Sequence, residues 1–384
     1  MRHSLPILLL LAMPAMAEPL PPGSGALNVR DFGAKGDGTT DDTAAILAAI
    51  AASGTDTGRS FWQDRIVYLP NGTYRVSAQL EKRYAGGGYG SGLLLMGESQ
   101  DGTVIRLADG APGYDDRRRP RAVVFTSSKH LDGTPTGGGK DYPALGEGND
   151  AYLNSIEDLT IDVGQANPGA VGIDYLANNI GAIRDVTLRA PPGSGAVGLS
   201  MTRKWPGPAL VQRLTVEGFA VGIDVAQTEY GMTLEHIRLT GQTTAGLRNA
   251  RNALSIRGLQ TEGQAPAVVN RVASGLIAID GGQLGAIENA GTIVLRAVLV
   301  GGRAMDGVMT GSGWQAQARP GWVPEPVDTP IDRTTPPDRW ANAATFGALG
   351  DGVTDATAAR PRRVAAGAAR GVVPTRPEGG AGAL

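Results

Sequence analysis

The chain has 384 residues, with 35 Lys and Arg against 37 Asp and Glu and a formal net charge of -2. That balance lacks the basic stripe that a nucleic-acid partner requires. With no cysteine, disulfides, zinc–thiolate sites and Cys nucleophiles are all excluded. Of the three histidines, only His130 and His236 lie beyond the first few residues. Chemistry therefore falls to carboxylates, tyrosines, amides and Lys or Arg, and no cofactor or metal site is expected.

The first 17 residues read as a secretory signal. Arg2 and His3 give a basic start, an apolar run follows to Met13, and Ala15-Met16-Ala17 forms an A-x-A cleavage site. Cleavage after Ala17 predicts a secreted or periplasmic protein. No later segment reaches the roughly 20 apolar residues of a transmembrane helix, so no membrane partner is expected after cleavage.

Next comes "GAKGDGTTDDTAAILAAIAAS" at 33–53. Asp37-Gly38 predicts a turn. Thr40 or Asp41 fits a helix N-cap, with Asp42 adding negative charge where the helix dipole favours it. The Ala-rich run beyond predicts a helix whose apolar face is Ile46, Leu47 and Ile50, suited to closing the open end of a solenoid. Each acidic residue here has a local role, and no calcium-loop spacing is present. "YLPNGTYRV" at 68–76 reads as two strands around a turn. From 92 to 150, three strand-like runs alternate with polar, Gly-rich loops.

From residue 154 the chain repeats itself. "IEDLTI", "IRDVTL", "VQRLTV", "LEHIRL" and "IRGLQT" start at 156, 183, 211, 234 and 256. A second phrase, "AVGID", "AVGLS", "AVGID" and "TAGLR", starts at 170, 196, 220 and 244, with "PAVVN" at 266 a weaker fifth. A period of this size, holding two short strands, cannot bury a face alone and must stack on its neighbours. The expected fold is all-β, a single-stranded right-handed parallel β-helix over residues 27–300 with an N-terminal capping helix. Residues 301–340 are rich in Pro and Gly and read as a linker, along which Trp314, Trp322 and Trp340 are expected to pack on the helix.

The phrase "FGALGDGVTDATAAR" at 346–360 repeats much of "FGAKGDGTTDDTAAI" at 32–46. Residues 341–384 are therefore expected to start a second β-helix module. Ala356 replaces an Asp, Arg360 falls where Ile46 stood, and Pro361 breaks the helix. The module is expected to be truncated, and the Pro/Gly/Ala-rich text after 360 to be disordered.

"VRDFGAKGDGTTDDTAAI" followed by "IVYLPNGTYRV" closely resembles the opening of the pectate-lyase superfamily domain, shared by rhamnogalacturonase and epimerase-like proteins, phage tailspikes and family 55 glycoside hydrolases. Having the phrase twice resembles the family 55 β-1,3-glucanases, which set two β-helices side by side. That resemblance implies an exported glycoside hydrolase-like protein whose partner is a polysaccharide or oligosaccharide. It places Asp174, Tyr175, Asn178 and Asn179, with Glu229 and Tyr230, near the sugar.

Hydrolysis needs two carboxyl groups roughly 5 to 10 Å apart, and stacked coils bring equivalent positions about 4.8 Å apart. The candidate catalytic carboxylates are Glu229, Asp174 and Asp224, with Ser200 between the last two in the stack. A polysaccharide lyase would instead want a basic proton acceptor. The loop "TRKWPGP" offers Arg203, Lys204 and Trp205 for that role or for gripping a sugar. A non-catalytic carbohydrate-binding scaffold is the third reading.

Overall fold

The computed structural model describes residues 19–20, 24–54, 64–83, 89–128, 151–227, 230–317, 341–342, 346–348, 353–355, 357 and 374–375. The signal sequence, Glu229, Trp322, Trp340 and most of the second module lie outside them.

Each repeat becomes one coil because its apolar residues form continuous interior columns. Ile156, Ile183, Val211, Leu234, Ile256, Ile279 and Leu295 stand in parallel register from coil to coil, and all are buried. The long strands Tyr152–Asp162, Asn178–Arg189, Ala209–Glu217, Met232–Thr240, Ala253–Glu262, Leu276–Leu284 and Thr292–Val300 stack in one sheet. The short strands form a second, eight-stranded sheet that includes Arg121–Phe125, Ala170–Asp174, Val197–Met201, Val221–Ala226 and Ala245–Ala250. The architecture is a parallel β-helix.

The two polar residues inside each "I-x-x-L-x-I" phrase mark a corner. Asp158, Asp185, Arg213, His236, Gly258, Gly281 and Ala297 occupy one equivalent position in successive coils, and all have φ between +50° and +71°. This left-handed residue turns the long strand sharply while keeping both flanking apolar residues inside. The corner divides each long strand, so each coil has three faces although its repeat shows only two strand phrases.

The capping helix spans Thr43–Ala52 and buries Ile46, Ala49 and Ile50, with Leu47 packed against the core. Its N-cap position is Asp42, not Thr40 or Asp41. The Asp42 carboxylate turns away from the helix to accept the backbone N–H groups of Lys35 and Gly36 at 2.7 and 3.0 Å. Asp41 instead accepts from the Thr43 N–H at 3.0 Å, and Asp37, which opens the short strand Asp37–Asp41 rather than the expected turn, accepts from the Thr39 and Thr40 N–H groups.

The coils extend past residue 300. Arg303–Thr310 pairs antiparallel with Thr292–Val300, and Gly313–Ala316 pairs antiparallel with Arg303–Thr310. The first part of the expected linker is therefore a closing hairpin. Its Gly-rich turns, Gly301-Gly302 and Gly311, take positive φ and hide the strands from a composition-based reading. Trp314 lies on the hairpin and is 37 % exposed.

Inside the coils, polar side chains occur as stacked ladders. Asn249 donates to Asn270 at 3.2 Å, and Asn270 donates to Asn289 at 2.8 Å. These amides bond turn backbone as well: Asn249 donates to Asn252 O and Asn270 to Gly275 O. Their burial is therefore compensated.

Candidate functional site: an edge-flanked groove

The predicted residues separate into two groups. Asp174 and Asp224 sit on the short-strand face, two coils apart with Ser200 between them, so the stack itself forms as expected. Each carboxylate, however, already holds an arginine. Arg203 Nε lies 3.0 Å from Asp174 Oδ1, and Arg248 grips Asp224 through two nitrogens. Asp174 is thus engaged through Oδ1 and Asp224 through both oxygens, an arrangement that favours a structural role for both carboxylates.

Tyr175 is a core residue. It is 0 % exposed, and its hydroxyl donates to Asn154 O at 2.6 Å. Burial pushes its phenol well above the usual tyrosine range. The strand before it ends at Asp174, and the chain then turns inward. Arg203 is likewise 2 % exposed. It bonds Thr126 O at 2.6 Å and Asp174 O at 3.1 Å, and stacks over Phe125 at 4.2 Å. Asn178 is buried too. All three are buried, and the hydrogen bonds of Tyr175 and Arg203 hold the turn together.

The other predicted residues do reach solvent. Asn179 is exposed, within a bulge where the strand slips register between Asn178 and Gly181. Lys204 Nζ stands 3.8 Å above the Trp205 ring. Trp205 meets Tyr230 edge-on from the next coil, at 6.4 Å between ring centroids and 87° between planes. Tyr230 is 42 % exposed.

The bulge at Asn179 opens a groove of about 560 Å³ that the sequence did not reveal. Its apolar lining includes Leu94, Met96, Ile180 and Leu210, and its polar lining is Ser155, Glu157, Asn179 and Arg184. Ile180, 62 % exposed, stands on its rim. Arg184 Nη2 donates to both Glu157 oxygens, at 2.6 and 2.7 Å, and Ser155 Oγ donates to Glu157 Oε1 at 2.5 Å. The Arg184 Nε is buried with no hydrogen-bond partner. A signal for this pair was present, since Glu157 and Arg184 hold the same position in "IEDLTI" and "IRDVTL" one coil apart. Among the described residues, no group of three His, Asp or Glu side chains could hold a metal ion, and no helix is long and apolar enough to cross a membrane.

A family model described as rhamnogalacturonase A/epimerase, pectate lyase-like, matches residues 26–268. The chain belongs to this family. Its relatives include alginate lyase 7 of Azotobacter vinelandii, 36% identical over 161 residues, which is 38% of this chain and 15% of the relative. Another is the mannuronan C5-epimerase AlgE3 of the same organism, 34% identical over 166 residues, covering 42% of this chain and 7% of the relative. The chain thus matches only a small part of either enzyme. Among solved structures, ORF18 of Geobacillus virus E2 aligns with a TM-score of 0.46 and 17% identity, over 72% of this chain and 50% of that one. The specific resemblance to family 55 glycoside hydrolases is not supported by these matches.

Proposed function

We propose that this family member binds a linear acidic polysaccharide along the groove, and that any reaction it performs is of the lyase or epimerase class rather than hydrolytic. The observation that carries this reading is the groove's lining: apolar side chains for sugar rings, with Arg184, paired to Glu157, and Asn179 among them. Sugar rings present apolar faces and polar edges, which such a lining matches.

The reaction class follows from charge. Elimination or epimerisation at a uronate removes the proton beside its carboxylate, and a guanidinium near that carboxylate stabilises the charge that develops. Arg184 lines the groove with a partly exposed side chain, and Glu157 fixes its orientation. Hydrolysis would need a free acid and a free base, and the stacked pair Asp174 and Asp224 is bound to Arg203 and Arg248. The activities named for the alginate lyase and mannuronan epimerase relatives agree with this choice.

The test is incubation of the purified full chain with alginate, polygalacturonate and β-1,3-glucan. Retention on the acidic polymers, with unsaturated ends or inverted uronates as products of turnover, is the expected result. Retention on the acidic polymers without turnover leaves the binding reading standing. New reducing ends on β-1,3-glucan, with no affinity for either acidic polymer, would overturn it.

A further inference from the structure

Beyond the groove, one edge of the solenoid carries two arginines, Arg251 and Arg271, that no acid pairs among the described residues. Elsewhere on the coils, arginines are matched with acids: Arg184 with Glu157, Arg213 with Asp185, Arg189 with Glu217, and Arg238 with Glu262. Arg251 and Arg271 differ. Both are exposed, both lie in turns leaving the short-strand face, and neither forms an ion pair or side-chain hydrogen bond among the described residues.

These turns form one continuous edge. Ala177 N–H donates to Pro206 O at 3.2 Å. Trp205 then meets Tyr230, Asn252 Nδ2 donates to Gln227 O at 3.1 Å, and Leu276 N–H donates to Asn252 O at 3.2 Å. The groove's lining reaches this edge at Asn179 and Ile180. From there the edge presents Lys204 on Trp205, then Tyr230, then Arg251, then Arg271, one turn per coil. Four coil spacings separate Asn179 from Arg271, about 19 Å. The turn sequences 202–208, 250–252 and 271–275 contain no acidic residue. Glu229, the one acid in the edge's sequence, lies outside the described residues.

We infer that this edge is an extended polyanion-binding track: Arg251 and Arg271 are specificity-determining residues that hold the carboxylates of a linear acidic glycan after it leaves the groove past Trp205 and Tyr230. The inference rests on the groove reading above and adds a length requirement to it. A glycan strand lying along the coil axis meets one turn after another, so only a long polymer reaches both arginines. Each exposed arginine that neutralises a backbone charge also releases counterions, which makes its contribution salt-dependent.

The experiment is equilibrium binding of short and long oligomannuronates to the full chain and to the double variant Arg251→Asn, Arg271→Gln. Asn is chosen at 251 because Arg251 has φ +75°, a conformation that Asn tolerates. Arg303→Gln, on the closing hairpin, controls for the loss of one positive charge away from the edge and is set against each single variant. The double variant is expected to lose about tenfold or more in affinity for the long oligomer, with a shallower salt dependence. Short oligomers that fill only the groove should bind both proteins alike, and Arg251→Lys should restore part of the long-oligomer affinity. Equal loss in the Arg303→Gln control, or no loss of long-oligomer binding in the double variant, would overturn the track while leaving the groove intact. Failure of the unsubstituted chain to bind either length would overturn the groove reading and the track together.

Discussion

Arg203 crosses from its own turn to Asp174, 29 residues earlier, placing Nε 3.0 Å from the carboxylate Oδ1. The arginine side chain is almost wholly buried and the aspartate only partly so. Truncating Arg203 would leave its carbonyl partner Thr126 O without a donor and Asp174 uncompensated. Arg203→Gln is expected to cost about 2–4 kcal/mol, read as a lowered urea midpoint with an unchanged slope. Asp174→Asn should leave glycan affinity untouched, which separates a structural carboxylate from a substrate-binding one.

The stacked left-handed corner gives a second expectation. Gly258 has φ +69°, and a Cβ there would meet His236 Nδ1 at 3.3 Å. Gly258→Val should destabilise by about 1–3 kcal/mol. Ala297 takes φ +52° in the same column and carries the strain of a non-glycine residue there. Ala297→Gly should therefore raise stability by about 0.5–1 kcal/mol, measured by the same denaturation series.

The interior asparagine ladder should behave as a unit. Asn270 donates to both Asn289 and Gly275 O and accepts from Asn249. Asn270→Ala removes three hydrogen bonds while Asn249 Nδ2 keeps Asn252 O, Asn289 Oδ1 keeps the Gly291 N–H and Gly275 O keeps the Thr292 N–H, at an expected cost of about 1–2 kcal/mol. Hydrogen exchange should report the loss first at the Asn249–Asn252 and Asn270–Gly275 turns.

Stability should fall in acid partly through Asp37. The backbone N–H of Thr40, then that of Thr39, hold its carboxylate well below the usual range. A folded-state pKa below the unfolded one gives stabilisation that is complete above the unfolded value of about 3.9 and is lost as pH falls below it. The difference in unfolding midpoint between the parent chain and Asp37→Asn should be constant near neutrality and narrow below about pH 4. A difference that widens in acid would contradict the assignment.

The solenoid was legible because its cause is local: a period-two pattern, broken once per coil, is written into every repeat. The extra face escaped notice because the break in "IEDLTI" looks like ordinary polarity until Asp158 is seen above Asp185, Arg213 and His236. The site was harder for the same reason. Whether Asp174 faces substrate depends on Arg203, and whether Tyr175 faces inward depends on Asn154. Neither partner is near in sequence. The groove is lined in part by the register slip at Asn178–Gly181, which no periodicity encodes. Trp205 stood out in the loop "TRKWPGP" as a ring able to grip a sugar, whereas Tyr230 came only through the resemblance to the family 55 glucanases.

A crystal structure of the chain with an acidic oligosaccharide tests the central claim most directly. The account expects sugar density over Ile180 and beside Arg184, continuing towards Trp205 and Tyr230. Density seated instead on the short-strand face, displacing Arg203 from Asp174 or Arg248 from Asp224, would contradict it.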